Sequence, residues 1–139
     1  MRIPAGFEDL FADDTCSFLA LATVRADGSP VVVPVWFVTD SEGLLFSTGT
    51  DSLKACDMRE RPVVAGMVME EGEHARYISI RGSAHEVVNP EAEGIDPQAL
   101  YRRIVRRYEG HDPAGKHTDV YFRLVPSKVT GYDYRDDEV

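Results

Sequence analysis

A chain of 139 residues with 43% hydrophobic content fits one globular domain over residues 1–139, and at that size roughly two-thirds of the unfolded surface is buried on folding, so no disulfide or metal is needed. Its 24 acidic and 15 basic residues leave a formal net charge of −9, a field that repels phosphate backbones and argues against nucleic-acid binding. Two cysteines, Cys16 and Cys56, form no CxxC pair and suit a reducing cytoplasm; with no apolar run near the roughly 20 residues of a membrane helix, and no basic-then-apolar start, the expectation is a soluble, unprocessed cytoplasmic protein with no membrane partner.

Residues 17–25 (SFLALATVR) are apolar with β-branched members and end in the turn residues Ala26-Asp27-Gly28-Ser29. Residues 30–39 (PVVVPVWFVT) follow, closed by Asp40-Ser41-Glu42-Gly43, and 44–47 make a third short run. Tight turns between three such runs predict an antiparallel meander. The loop Thr48-Gly49-Thr50-Asp51-Ser52 leads into a short helix, 53–60. A fourth strand is expected over 62–70, with a turn at Glu71-Gly72-Glu73, and a fifth, long one over 75–88. Tyr101, Ile104, Val105 and Tyr108 recur at helical spacing within 97–108. The sixth strand is 120–132, with Phe122, Leu124 and Val129 facing in, and the tail Asp136-Asp137-Glu138 is too polar to pack.

The second run is apolar on both faces, with Val31, Val33, Val35 and Phe37 on one and Val32, Trp36 and Val38 on the other. A strand with one wet face alternates instead, so a partner subunit, a flat cofactor ring or a helix of the same chain must cover the second face. Pro34 donates no ladder bond, which interrupts the strand or puts it at a sheet edge.

The stretch 46–54 (FSTGTDSLK) joins a strand end to a helix start through three hydroxyl residues, a glycine and then Lys54. Free N–H groups and partial positive charge at a helix start suit a phosphate, and an ordinary N-cap on Asp51 or Ser52 accounts for the same residues. The helix around 97–108 carries Arg102, Arg103, Arg106 and Arg107 opposite its apolar stripe, either as a solvated face or as a surface for an anionic tail. His74, His85, His111 and His117 lack metal-ligand spacing, and no GxSxG, catalytic carboxylate pair or Cys/His arrangement supports hydrolysis. Trp36, the single tryptophan, suits core packing or stacking near a cofactor ring equally well.

The ordered segments LATVRADGSP, VVVPVWFV, FSTGTDSLKA and YISIRGSA resemble the pyridoxamine 5′-phosphate oxidase-like superfamily, most closely its small actinobacterial-type proteins that use the deazaflavin coenzyme F-420. The similarity runs over 18–88, and the strand plan extends it to Tyr132. The resemblance implies a mainly β fold, a six-stranded antiparallel split barrel with minor helices, and a homodimer with cofactor sites at the subunit interface. It implies that Ser47, Thr48, Gly49, Ser52, Leu53 and Lys54 form the phosphate end of the site, with Thr48, Ser52 and Lys54 holding the phosphate. Val33, Pro34, Val35 and Trp36 would flank the ring. Val32 and Phe37 stand where the vitamer oxidases carry an arginine and a lysine, and Leu53 where they carry a further arginine. Gly131-Tyr132-Asp133-Tyr134 lacks their basic and histidine substrate residues. The implied activity is hydride transfer between F-420 and a small conjugated substrate. The alternatives are an FMN-dependent oxidoreductase of the same fold and a non-catalytic cofactor carrier. No catalytic residue is assigned, since the cofactor supplies the reactive carbon.

Overall fold

The computed structural model describes residues 1–70, 72 and 75–135; the expected turn at Glu71 and Glu73, His74 and the polar tail 136–139 lie outside the described residues. Seven strands form one antiparallel sheet with two α-helices packed on it. They are β1 (Ser17–Val24), β2 (Pro30–Val35), β3 (Val38–Thr39), β4 (Leu44–Thr48), β5 (Val63–Glu70), β6 (Arg76–Glu86) and β7 (Val120–Asp133), with α1 (Leu53–Glu60) between β4 and β5 and α2 (Pro97–Glu109) between β6 and β7. The spatial order is β2-β1-β5-β6-β7-β4-β3.

The expected second strand is therefore two strands at opposite ends of the sheet. Only Trp36 and Phe37 lie between β2 and β3, so the sheet must curl until its ends nearly meet, which makes the split barrel. The strand count rises from six to seven because the backbone of Phe37 bonds elsewhere. Its N–H donates to the Tyr108 hydroxyl (3.2 Å) and its carbonyl accepts from the Arg107 guanidinium (2.6 Å). β2 pairs only with β1, and Pro34 sits opposite Ala20 on that edge strand, where a missing donor costs least.

β1 alternates between buried and half-buried residues, the pattern of a strand with one face on the core. Leu19 and Leu21 point inward with Phe37, Phe46, Phe122, Leu44 and Met58. A second cluster, Val38, Leu45, Val87, Leu100, Ile104 and Tyr121, lies under α2. The helix that covers part of the apolar run is thus α2, and it covers Val38, not Val32. Capping fixes the span of α2: Asp96 accepts from the N–H groups of Gln98 (3.0 Å) and Ala99 (3.2 Å), Pro97 opens the first turn, and Gly110 ends the helix at φ 77°. No helix among the described residues is long and apolar enough to cross a membrane.

Candidate functional site

Two clefts meet at Lys54. The first, about 410 Å³, is lined by Pro34, Val35 and Trp36 from the end of β2, Ser47 from β4 and Lys54 from α1. Its far wall is α2, through Tyr101, Ile104, Val105 and Glu109, with Pro113 and Ala114 of the following loop. The second, about 270 Å³, lies on the other side of the lysine between Val31 and Val33 of β2 and Ser52, Leu53 and Asp57 around α1, with Thr23 and Arg25. Of the ten residues expected at the site, Val33, Pro34, Val35, Trp36, Ser47, Ser52, Leu53 and Lys54 line one cleft or both; Thr48 and Gly49 line neither. A larger groove of about 760 Å³ lies apart from them, against residues 1–5 and 126–129, with the mixed charges of Arg2, Glu8, Glu42 and Lys128.

The loop before α1 is a helix cap as well as a wall. Ser52, not Asp51, is the N-cap, its Oγ accepting from the Ala55 N–H (3.1 Å). Thr48 is buried, and its hydroxyl lies 2.7 Å from the same Ser52 oxygen. The Thr48 and Ser52 hydroxyls are thus bonded to one another at the cap. Lys54 is half-buried and has no carboxylate partner among the described residues, whereas Arg25 is tied to the buried Asp57 at 2.9 Å, which also takes Arg61 at 2.8 Å. Lys54 is thus the one unpaired cation in either cleft among the described residues.

Trp36 is not a core residue. It is 44% exposed and stacks on Tyr108, ring centroids 4.9 Å apart and planes 5° from parallel. The four arginines of α2 do not share one face. Arg102 and Arg106 are exposed, Arg103 is half-buried, and Arg103 and Arg106 bind Asp13 (2.7 Å) and Asp112 (2.5 Å). Arg107 is only 6% exposed and donates to the carbonyls of Leu10, Thr15 and Phe37 and to the Ser17 hydroxyl. Burial lowers its pKa from the ordinary guanidinium value, and its plane lies 4.4 Å over the Phe37 ring. His117 stacks on Tyr121 and His85 bonds to the Ser83 hydroxyl (2.8 Å).

The α2 wall escaped sequence reading because Tyr101, Ile104, Val105 and Tyr108 form an ordinary amphipathic stripe. The one available signal was two tyrosines at its margins, since a tyrosine at a core edge presents an apolar ring and a wet hydroxyl.

The arrangement offers an elongated ligand two adjoining clefts that share Lys54, the one unpaired cation there among the described residues. The Ser47 hydroxyl and the Glu109 carboxylate lie in one, and Ser52 beside the paired Arg25 and Asp57 in the other. That donor set suits a singly charged phosphodiester better than a phosphate monoester of nearly two charges. Of Val32, Phe37 and Leu53, only Leu53 lines a cleft; Val32 is exposed and Phe37 is fully buried in the core.

The family model described as pyridoxamine 5′-phosphate oxidase matches residues 8–133. Among solved structures, an F-420 reductase is 31% identical, with a TM-score of 0.73 over 92% of this chain and 98% of its own. A conserved hypothetical protein from Mycobacterium tuberculosis is 22% identical (TM-score 0.75), covering 100% of this chain and 94% of that one. An FAD-binding protein from Mesorhizobium loti is 20% identical (TM-score 0.68), covering 94% and 95%. No curated protein sequence matches the chain. With the curled sheet in place and the family model spanning nearly all of it, the chain belongs to the pyridoxamine 5′-phosphate oxidase family.

Proposed function

We propose that the protein is an oxidoreductase that uses coenzyme F-420, passing a hydride between it and a small conjugated substrate. The observation that carries this reading is Lys54, without a carboxylate partner among the described residues, where two clefts meet. Lys54, with Ser47 and Ser52, would hold the cofactor phosphodiester, and the edge of β2 from Val33 to Trp36 would lie along the ring. When bound, the deazaflavin supplies the carbon that carries the hydride. The chain's own work is then to orient the ring against the substrate and keep water away, through Val35, Trp36, Ile104 and Val105. Likeness to an F-420 reductase at 31% identity supports the choice of cofactor. Trp36 is 44% exposed where it lines the larger of the two clefts, so a ring lying along it would keep an open side for a substrate, which favours an enzyme over a carrier. FMN is the alternative, and it would have to place nearly two charges against one lysine.

The test is the visible absorption of the purified protein, followed by stopped-flow oxidation of reduced F-420 with a small cyclic enone. Enzyme-dependent return of the F-420 absorbance is the expected result. A protein that binds F-420 yet leaves the reduced form unchanged with any conjugated acceptor would be the carrier instead.

A second copy completes this reading. Val32 is 63% exposed beside Ala22, which is itself paired with the exposed Ala65, so an apolar row crosses β2, β1 and β5 on the outer face. A homodimer that covers this row would also close the open side of the clefts next to β2.

A further inference from the structure

The chain leaves one end of the sheet for the other immediately after Trp36, and Tyr108 controls that step from two sides. Its hydroxyl accepts from the Phe37 N–H (3.2 Å) and donates to the Phe37 carbonyl (3.3 Å). Its ring lies parallel to the Trp36 indole at 4.9 Å. Burial raises the pKa of the Tyr108 phenol above its ordinary value, so the hydroxyl keeps its proton and remains both donor and acceptor. Behind it, the buried Arg107 guanidinium holds the same Phe37 carbonyl at 2.6 Å and lies 5.3 Å from the Tyr108 ring centre. The backbone and the indole plane are therefore both fixed from the C-terminal turns of α2.

Trp36 nevertheless remains 44% exposed and lines the 410 Å³ cleft. An indole stacked only to fill a core would be covered. A half-exposed indole held flat by a second ring presents apolar area at a fixed angle. A planar ligand that stacks there incurs no ordering cost for that side chain.

We propose that Tyr108 is a positioning residue of the cleft, holding Trp36 in one plane before a ligand arrives so that the indole is a preformed wall for a planar ring. The inference rests on the planar-cofactor reading above, and its test separates the two. Trp36 is the only tryptophan in the chain, so its near-UV circular dichroism and the acrylamide quenching of its emission report this one side chain. Tyr108→Leu removes the ring, and Tyr108→Phe keeps the ring and loses the hydroxyl. Without ligand, Tyr108→Leu loses most of the long-wavelength tryptophan dichroism and is quenched about twice as efficiently, as expected when a stacked ring is lost. Its F-420 affinity falls about tenfold, whereas Tyr108→Phe keeps the dichroic band and binds within about threefold of the parent. If Tyr108→Leu shows no cooperative thermal transition, Tyr108→Gln removes the ring while its amide can still bond the Phe37 backbone. Unchanged dichroism and quenching in a folded variant without the ring, or affinity equal to the parent's, overturns the proposal. If the parent binds neither F-420 nor FMN, the cofactor reading fails, and the two tryptophan signals alone decide: a change supports the positioning role and constancy overturns it.

Discussion

Lys54 matters because of what does not touch it. Arg25, Arg59, Arg61, Arg103, Arg106 and Arg123 all have acidic partners, while Lys54 faces two clefts with none among the described residues. Lys54→Ala should weaken F-420 binding by about 1–3 kcal/mol, the usual worth of a charge-assisted hydrogen bond. The unfolding midpoint without cofactor should barely move, since a lysine in the first turn of a helix opposes the dipole. Calorimetric titration and thermal melts check both halves, and equal affinity in mutant and parent would return the loop to a plain capping role. Arg107 is the opposite case, a buried cation held by four neutral oxygens. Arg107→Met takes a donor from each of the four oxygens, but the Phe37 and Leu10 carbonyls keep the Tyr108 and Ser17 hydroxyls. The Thr15 carbonyl loses its guanidinium donor, at a cost of about 1–3 kcal/mol for an acceptor left unmet, less whatever water recovers. Urea unfolding should therefore show a large loss of stability. A loss below about 1 kcal/mol would mean that the pocket relaxes around the shorter chain.

At the level of elements, most of the fold was legible because its signals are local. An apolar run with β-branched members gave β1 to within a residue, turn chemistry at Asp27-Gly28-Ser29 gave the first hairpin, and the helical spacing of Tyr101, Ile104, Val105 and Tyr108 gave α2 to within a residue. The break between β2 and β3 was not legible, since the groups that take up the Phe37 backbone lie about 70 positions away on α2. Arg107 was misread for a related reason: charge pattern places an arginine on the wet side of a helix, and only its distant carbonyl partners turn it inward. The cleft was half legible. Its β2 and α1 walls follow from family pattern, and its α2 wall comes from long-range packing.

The loop after α2 adds a pH dependence. His117 stacks on Tyr121 at 4.2 Å, with its Nε2 buried and without a hydrogen-bond partner among the described residues. Burial lowers its pKa from the ordinary 6.5, against a smaller opposing pull from Asp119. The folded state thus favours the neutral ring, while the unfolded chain takes up a proton near its ordinary value. This contribution is complete above 6.5 and is lost as pH falls from there toward the lower folded pKa. His117→Phe keeps a ring against Tyr121 and removes the titration. Between about pH 7 and pH 5 the parent's melting temperature should fall further than the variant's. Parallel curves would show that His117 does not contribute.

For the whole molecule, the unresolved demand is the outer face of the β2-β1-β5 end. Val32, Pro34 and Ala65 are exposed there, while Leu21 and Val33 fill the inner face. A stable homodimer is expected, and Val32→Lys should shift it toward monomer without unfolding it, because the side chain is 63% exposed within one subunit. Multi-angle light scattering at micromolar concentration checks this, and a monomeric parent removes the argument for a shared cofactor site. The central claim concerns which cofactor the clefts accept, and the most direct measurement is parallel fluorescence titration of the purified protein with F-420 and with FMN at one salt concentration. One lysine between two clefts predicts that F-420 binds more tightly by about tenfold or more, or at least about 1.4 kcal/mol; nanomolar FMN affinity beside undetectable F-420 binding would contradict it.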